Sequence, residues 1–225
     1  MQRYSRNIKT LSAEENANLI NFRVCVVGCG GLGGYVIEEL GRLGIGSVTA
    51  VDGDVFEESN LNRQLLSDMD NLGSSKALAA EARMKKVNPL ITVVPVRKRL
   101  DISNGLNIID GHDVIIDALD NIESRLVLEK LAETAGIPLV HGAIAGWYGQ
   151  VTTVFPGDRT LSRLYPAETK YGIEKELGNP SFTPALVASI QVAEAVKVLI
   201  KRGDTLRKKL LAVNLLNQEF DVIEL

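Results

Sequence analysis

The chain has 225 residues, of which 45% are hydrophobic and 24% are charged, a composition typical of a globular protein with one large domain. Its 28 acidic and 25 basic side chains give a formal net charge of −3 without a block of like charges, which argues against nucleic-acid binding. No stretch approaches the roughly 18 uncharged apolar residues of a membrane span, and residues 1–9 are too polar for a secretory signal, so we expect a cytoplasmic protein.

Short apolar runs recur through the first 140 positions, each bounded by glycine or acidic residues, and they predict buried strands. They lie at 23–27, 47–51, 91–96, 113–116 and 138–141. Segments with helical spacing separate them, at 32–43, 77–87 and 125–135. The alternation of strand and helix predicts an α/β fold with a Rossmann-like, doubly wound, mostly parallel sheet.

The pattern changes after position 141. Segments 147–155, 210–216 and 219–225 read as strands without intervening helices, so we expect them to extend the sheet in antiparallel fashion. Segment 156–184 carries four of the seven prolines and is expected to be a long surface crossing loop before a helix at 185–201. We expect residues 1–22 to form a small helical arm, and residues 1–225 to form a single domain.

Four glycines follow the first predicted strand and open the first predicted helix. Gly28, Gly30, Gly31 and Gly33 would allow backbone N–H groups and the positive end of the helix dipole to meet a phosphate. Asp52 ends the next predicted strand, 19 residues after Gly33, where a carboxylate often binds a ribose. This pattern predicts a nucleotide site, but it also fits the dinucleotide site of a dehydrogenase.

A second set of polar residues favours a triphosphate and its metal. Arg63 and Lys76 can neutralise the charge that develops on a departing pyrophosphate. Asp120 follows the carboxyl end of a predicted strand and is the candidate Mg²⁺ ligand, with Asp117 as the lesser candidate. Structural roles stay open: a surface salt bridge for Arg63, a solvated lysine at a helix start for Lys76, and a helix N-cap for Asp120.

Together these motifs resemble the HesA/MoeB/ThiF family, the bacterial relatives of ubiquitin-activating enzymes. The resemblance covers nearly the whole chain and rests on motifs in the family's order. They are Arg3-Tyr4-Ser5-Arg6, the glycine loop, the run from Ser59 to Gln64, Lys76, the run from Asp117 to Asn121 with Arg125, His141-Gly142-Ala143, the run from Gly149 to Thr152, and the run from Asn214 to Asn217.

The resemblance implies adenylation, with ATP and Mg²⁺, of the C-terminal glycine of a small ubiquitin-like sulfur-carrier protein. It implies that the glycines, Gly31 above all, lie against the nucleotide and that Asp52 binds the ribose. Asn60, Arg63 and Lys76 would meet the phosphates, Asp120 would hold magnesium, and Asn121 would line the site. It also implies a homodimer in which Arg6 acts in trans, so that the catalytic set is Arg6, Arg63, Lys76 and Asp120.

The chain departs from the family in two respects. Many members carry two Cys-x-x-Cys pairs that bind zinc, whereas Thr160 and Arg163 stand at the matching positions here. We therefore expect no zinc, and a crossing loop held by packing through Tyr165, Tyr171 and Phe182. No cysteine lies between positions 69 and 225, so the reaction is expected to stop at the acyl-adenylate.

Three further residues carry open assignments. Cys29 is expected to pack under the glycine turn rather than to act as a nucleophile. His141 is either a buried structural histidine or a substrate contact, and Trp147 is either core or a platform for a peptide tail. At the level of function, the alternatives are adenylation of another carboxylate, an inactive nucleotide-binding scaffold and, more distantly, a dehydrogenase.

Overall fold

The computed structural model describes residues 2–165 and 174–225. Within these ranges the strands are β1 (Arg23–Val27), β2 (Ser47–Val51), β3 (Thr92–Val96), β4 (Val114–Asp117), β5 (Leu139–Ala145), β6 (Tyr148–Val154), β7 (Lys209–Asn214) and β8 (Glu219–Glu224). The helices are α1 (Ala13–Asn18), α2 (Gly31–Leu43), α3 (Lys76–Val87), α4 (Gly105–Ile109), α5 (Ile122–Ala135), α6 (Thr160–Leu164), α7 (Glu174–Leu177) and α8 (Phe182–Ile200).

The described strands form one sheet in the order β3-β2-β1-β4-β5-β6-β7-β8. Strands β1 to β5 pair in parallel, and β6, β7 and β8 continue the sheet in antiparallel fashion. The predicted fold class is therefore confirmed. Because β1 pairs with both β2 and β4, the chain reverses its direction of winding between β1 and β4. Open α/β sheets bind ligands at this switch point, beyond the carboxyl ends of the strands.

Alternating side chains of the central strands enter two separate apolar clusters, one on each face of the sheet. Val24 and Val26 join the cluster that includes residues of α2, α3 and α8. Cys25 and Val27 join the cluster that includes residues of α4, α5 and α6. Both faces of the parallel strands are thus covered, which explains why these strands read as continuous apolar runs in the sequence.

The helices begin and end at residues with recognisable local chemistry. Helix α5 has Asn121 as its N-cap, whose side chain accepts a hydrogen bond from the backbone N–H of Ser124 at 2.9 Å. Gly44 ends α2 and Gly136 ends α5, both in the left-handed conformation, with φ of 99° and 72°. The two glycines set the carboxyl ends of α2 and α5.

Helix α8 is by length and composition the described helix that could cross a membrane, with a mean hydropathy of 1.5 over its best window. Its apolar sequence is interrupted by Glu194 and Lys197. Half of that window is buried inside the structure, where α8 packs against α2 and against strands β5 and β6. Such burial is that of a core helix.

The crossing segment 156–184 contains regular structure, contrary to the expectation of a loop. It includes α6, α7 and the first turn of α8, which begins at Phe182 rather than at residue 185. Helix α6 is supported by Glu129 of α5, whose carboxylate accepts hydrogen bonds from the N–H groups of Leu161 at 2.6 Å and Ser162 at 2.9 Å. Hydrogen bonds as well as packing therefore hold this segment. Tyr171, which was expected to contribute to the packing, lies outside the described residues.

The N-terminal arm contains two short 3-10 turns, Gln2–Tyr4 and Leu19–Asn21, on either side of α1. It binds to the carboxyl ends of α2 and α3. The Tyr4 hydroxyl accepts a hydrogen bond from Asn88 at 2.8 Å, and the Asn7 amide donates to the carbonyl oxygen of Leu43 at 3.2 Å. The arm is thus fastened at the end of α2 that lies away from the glycine loop.

Candidate functional site

A cavity of about 430 Å³ lies at the switch point of the sheet, at the carboxyl ends of β1, β2 and β4. Its walls combine the glycine loop with charged side chains from several loops and helix starts. Eight of the residues singled out in the sequence line it: Gly28, Gly30, Gly31, Asp52, Arg63, Lys76, Asp120 and Asn121. Residues far apart in the sequence meet here because the parallel strands end at one edge of the sheet.

The glycine loop is shaped by close backbone approaches. Gly28 has φ of 99°, and a Cβ atom there would lie 2.5 Å from the carbonyl oxygen of Ala118, beyond the end of β4. Gly33 does not line the cavity, because it is the contact between α2 and the turn. No side chain caps the start of α2 at Gly30, so the N–H groups of its first turn can meet an anion.

Asp52 connects the ends of β1 and β2. One carboxylate oxygen accepts a hydrogen bond from the N–H of Cys29 and the other from the N–H of Asp54, both at 2.8 Å. These bonds fix the carboxylate at the cavity wall. Each oxygen retains a lone pair, so the group can still accept hydrogen bonds from two neighbouring hydroxyls, as a ribose provides.

Cys29 is fully buried beneath this turn. Burial, together with the nearby Asp52 carboxylate, raises the pKa of its thiol well above the usual value. A thiol in this state is a poor nucleophile. The expectation that Cys29 packs under the glycine turn agrees with this placement.

Lys76 is the most informative cation of the cavity. It is only 8% exposed, and among the residues that the structure describes no carboxylate pairs with it. It also stands at the first position of α3, where the helix dipole opposes a positive charge. Both features are unfavourable in the protein alone, so they indicate that an anion completes the site. The alternative of a solvated lysine does not fit this burial.

Arg63 lies opposite, beside Gly31 of α2. Its guanidinium donates to the carbonyl oxygen of Ser59 at 3.0 Å and to the side-chain oxygen of Asn62 at 2.9 Å. These neutral partners orient the group without neutralising its charge. Within residues 2–165 and 174–225 it forms no salt bridge, so the alternative of a surface salt bridge is not supported.

Asp120 and Asn121 occupy the wall formed by the β4–α5 connection. Asp120 is exposed to the cavity, and its carboxylate accepts a hydrogen bond from the Asn121 amide at 3.3 Å. Since Asn121 is the N-cap of α5, the carboxylate of Asp120 is not occupied by capping. Asp117 is completely buried and bonded to Leu119 and His141, so it is unsuited to hold a metal in the cavity.

Besides Gly33, two predicted site residues do not line the cavity. Asn60 is buried behind the wall, where its side-chain oxygen accepts a hydrogen bond from the N–H of Glu57 at 3.1 Å. Arg6 is exposed on the N-terminal arm, outside the cavity. The proposed contacts of both residues with phosphate therefore stay predictions.

Lys98 and Arg99 are wall residues that sequence reasoning missed, and Gln64, which belongs to the run from Ser59 to Gln64, was given no role of its own. Gln64 is 6% exposed, and its side-chain oxygen has no hydrogen-bond partner among the described residues. Arg99 forms an ion pair with Asp54 at 2.9 Å. Lys98 and Arg99 lie two and three residues beyond the end of β3, and the rule that parallel strands end at one edge could have identified them.

The remaining open assignments are resolved by contacts. His141 is fully buried between Asp117 and Tyr165, at 2.7 and 3.0 Å, and does not line the cavity. Trp147 is 44% exposed and packs against Phe182 with ring centroids 4.5 Å apart, so it is not a core residue. Among the described residues, no group of three or more His, Cys, Asp or Glu side chains could hold a metal ion.

Comparison with known proteins yields a match to the ThiF family over residues 4–225. The chain is 37% identical to the SAMP-activating enzyme E1 of Haloferax volcanii, over 99% of this chain and 84% of that protein. It is 35% identical to the sulfur carrier protein adenylyltransferase of Thermus thermophilus, over 98% of this chain and 85% of that protein.

Solved structures confirm the same architecture. The crystal structure of Escherichia coli MccB with MccA-N7isoASN superposes with a TM-score of 0.85 at 21% identity, over 99% of this chain and 71% of the other. At this level of identity the likeness concerns the fold.

Proposed function

The chain belongs to the ThiF family, and on that premise we propose that it uses ATP to adenylate the C-terminal glycine carboxylate of a small ubiquitin-like sulfur-carrier protein. The named relatives are adenylyltransferases, and this chain is an enzyme of that class. The products would be an acyl-adenylate and pyrophosphate. The observation that carries the proposal is the burial of Lys76, with no carboxylate partner among the described residues, in the same cavity as the uncapped start of α2.

The charge of the cavity favours a triphosphate over a dinucleotide. Among the described residues, the cavity is lined by five cationic side chains and three carboxylates: Arg63, Lys76, Lys98, Arg99 and Arg125 against Asp52, Asp54 and Asp120. One of the cations, Arg99, is already paired with Asp54. A triphosphate carries more negative charge than the pyrophosphate of a dinucleotide, and it suits this excess better.

The reaction requires positioning and charge neutralisation rather than acid–base catalysis. A glycine carboxylate is already ionised at neutral pH, so one of its oxygens can attack the α-phosphorus without a general base. A bond forms between this oxygen and the α-phosphorus while the bond to the bridging oxygen breaks, and the electron pair leaves with pyrophosphate. Arg63 and Lys76 would stabilise the charge that accumulates on this leaving group.

The residues at the cavity edge fit Mg²⁺. Magnesium takes hard oxygen ligands and is commonly held by one or two carboxylates together with phosphate oxygens. Asp120, exposed to the cavity and free of capping, would supply the carboxylate. When bound, Mg²⁺ would add positive charge beside the phosphates. We expect no zinc, because Thr160 and Arg163 replace the thiols of the resembling motif.

The position of the arm supports a dimer in which Arg6 acts in trans. Tyr4 and Asn7 fasten the arm beside Gly44 and Leu43, at the carboxyl end of α2. The cavity lies at the other end of this 13-residue helix, about 20 Å away at 1.5 Å per residue. Arg6 therefore cannot reach the cavity of its own subunit from this arm position, and a second subunit would have to supply the arginine.

The acyl-adenylate is the expected end point for this chain. Its two cysteines are both buried, and burial raises the pKa of the Cys25 thiol to about 12. Neither thiol can readily receive the activated acyl group. A separate sulfur donor would then consume the adenylate. We also propose a cytoplasmic location, with which the use of ATP agrees.

The test is Mg²⁺-dependent exchange of labelled pyrophosphate into ATP, with and without small carrier proteins that end in Gly-Gly. We expect exchange only when such a carrier is present, and none with the same carrier lacking its last glycine. Exchange with another carboxylate in place of a carrier would overturn the substrate class but keep the adenylation chemistry. ATP binding without exchange under any condition would favour a nucleotide-binding scaffold.

A further inference from the structure

The short connection from β4 to α5 carries Asp120, and the residue before it is held from both sides. The N–H of Leu119 donates to the Asp117 carboxylate at 2.9 Å. The carbonyl oxygen of Leu119 accepts two hydrogen bonds from the Arg125 guanidinium, at 2.8 and 3.2 Å. Because Asp120 follows directly, its place in the cavity wall depends on this grip. We call the three residues Asp117, Leu119 and Arg125 the Leu119 clamp.

The Asp117 side of the clamp continues through a buried chain of hydrogen bonds. Asp117 and His141 are both fully buried, with the carboxylate 2.7 Å from Nδ1 of His141. A carboxylate accepts hydrogen bonds, so Nδ1 carries the proton, and burial lowers the pKa of His141 and keeps the ring neutral. Its Nε2 then accepts a hydrogen bond from the Tyr165 hydroxyl at 3.0 Å.

Tyr165 contacts the other side of the clamp as well. Its ring lies beneath the Arg125 guanidinium, 5.7 Å from the ring centroid. Its hydroxyl also accepts a hydrogen bond from the Gln150 amide. Tyr165 directly follows α6, at the start of the crossing segment. One side chain of this segment therefore contacts Arg125 directly and is linked to Asp117 through His141.

We propose that Tyr165 and His141 are positioning residues that hold Asp120, through the Leu119 clamp, in the place where it supports Mg²⁺–ATP. The inference rests on the proposed role of Asp120. Neither residue lines the cavity, so each acts through the clamp and not by contact with the nucleotide. This arrangement links the start of the crossing segment to the metal side of the site.

The experiment measures by how many fold Mg²⁺ tightens ATP binding, by calorimetric titration with and without Mg²⁺. Tyr165→Phe removes the hydroxyl and keeps the ring on Arg125. His141→Asn keeps a donor near the position of Nδ1, toward Asp117, and removes the acceptor for Tyr165. Tyr148→Phe, the same change at an exposed tyrosine of β6, is the matched control.

In each of the first two variants, we expect the factor by which Mg²⁺ tightens ATP binding to fall by about 3- to 10-fold. This change corresponds to the loss of one hydrogen bond. ATP affinity without Mg²⁺ should stay unchanged, and Tyr148→Phe should match the wild type. The double variant should be little worse than either single variant, because both break the same link.

Two results would overturn the inference. The first is a lowered melting temperature in Tyr165→Phe and His141→Asn with an unchanged Mg²⁺ effect, since the chain would then be merely structural. The second is a wild-type protein in which Mg²⁺ does not alter ATP binding, which would also remove the metal role of Asp120. Carrier adenylation is judged separately by pyrophosphate exchange, so its failure is distinguishable from both.

Discussion

Gly33 of α2 packs directly against the backbone of Gly28, and a Cβ atom on Gly33 would overlap the Gly28 carbonyl oxygen. This contact brings the start of the helix onto the turn that follows β1. The first-turn N–H groups thereby face the cavity rather than the apolar core. The spacing of the glycines in the sequence therefore reflects the contact between α2 and the turn as well as the phosphate site that it predicts.

We therefore expect Gly33→Ala to destabilise the protein by about 1–3 kcal/mol and to abolish ATP binding, because the backbone overlap displaces the turn. Urea unfolding and calorimetric titration of ATP would measure the two effects. Gly34→Ala is the control, since a Cβ atom there would lie at an ordinary 3.4 Å from Leu66. Equal losses in both variants would contradict the role of the Gly28–Gly33 contact.

Replacement of Lys76 by methionine should separate stability from activity. The buried ammonium has no carboxylate partner in the described part of the chain, so its loss should leave the melting temperature of the ATP-free protein unchanged or raised. Pyrophosphate exchange should fall about 100-fold, as when one preorganised donor to a developing charge is removed. A lowered melting temperature together with full exchange would show a structural lysine instead.

A mixing experiment tests whether Arg6 acts across a dimer. Arg6→Ala and Asp120→Ala proteins should each be inactive in pyrophosphate exchange. In a 1:1 mixture, half of the dimers are hybrids, and one site of each hybrid has both an intact Asp120 and an intact arm from its partner. We expect about a quarter of the wild-type exchange activity to return. Hybrid dimers that form without any recovery would contradict the shared site.

The lowered pKa values of the two histidines predict how the free energy of unfolding depends on pH. Burial lowers the pKa of both His112 and His141 below the usual value of about 6.5. Below that pH the unfolded chain takes up protons that the folded chain does not, so the free energy of unfolding should fall as the pH decreases from 7 to 5. Urea unfolding over this range would show it, with a shallower slope in His141→Asn. A flat wild-type profile would contradict it.

Local patterns predicted the central sheet well. The bounds of β1 and β2 agree with the predicted segments 23–27 and 47–51, because both faces of these strands are buried and their apolar runs are continuous. The start of α8 was misplaced because Pro184 was taken as the end of the crossing loop, whereas it lies in the first turn, where a helix tolerates proline.

Long-range contacts explain what the sequence could not predict. Helix α6 depends on the Glu129 carboxylate, which lies more than thirty residues away along the chain. Asp117 was already the lesser candidate for the metal ligand in the sequence, and its buried contact with His141 gives the reason that the sequence could not show. Burial likewise distinguishes Lys76 from a solvated lysine.

Helix α2 has the glycine loop at one end and the arm that carries Arg6 at the other. The hydrogen bonds of a helix fix its rise per residue, so this helix cannot shorten when a ligand binds at its first turn. Any displacement at the nucleotide end must therefore reach the arm as a rotation or translation of the whole rod. In a dimer, nucleotide binding in the cavity of one subunit would therefore shift the position of the Arg6 side chain that this subunit supplies to the other.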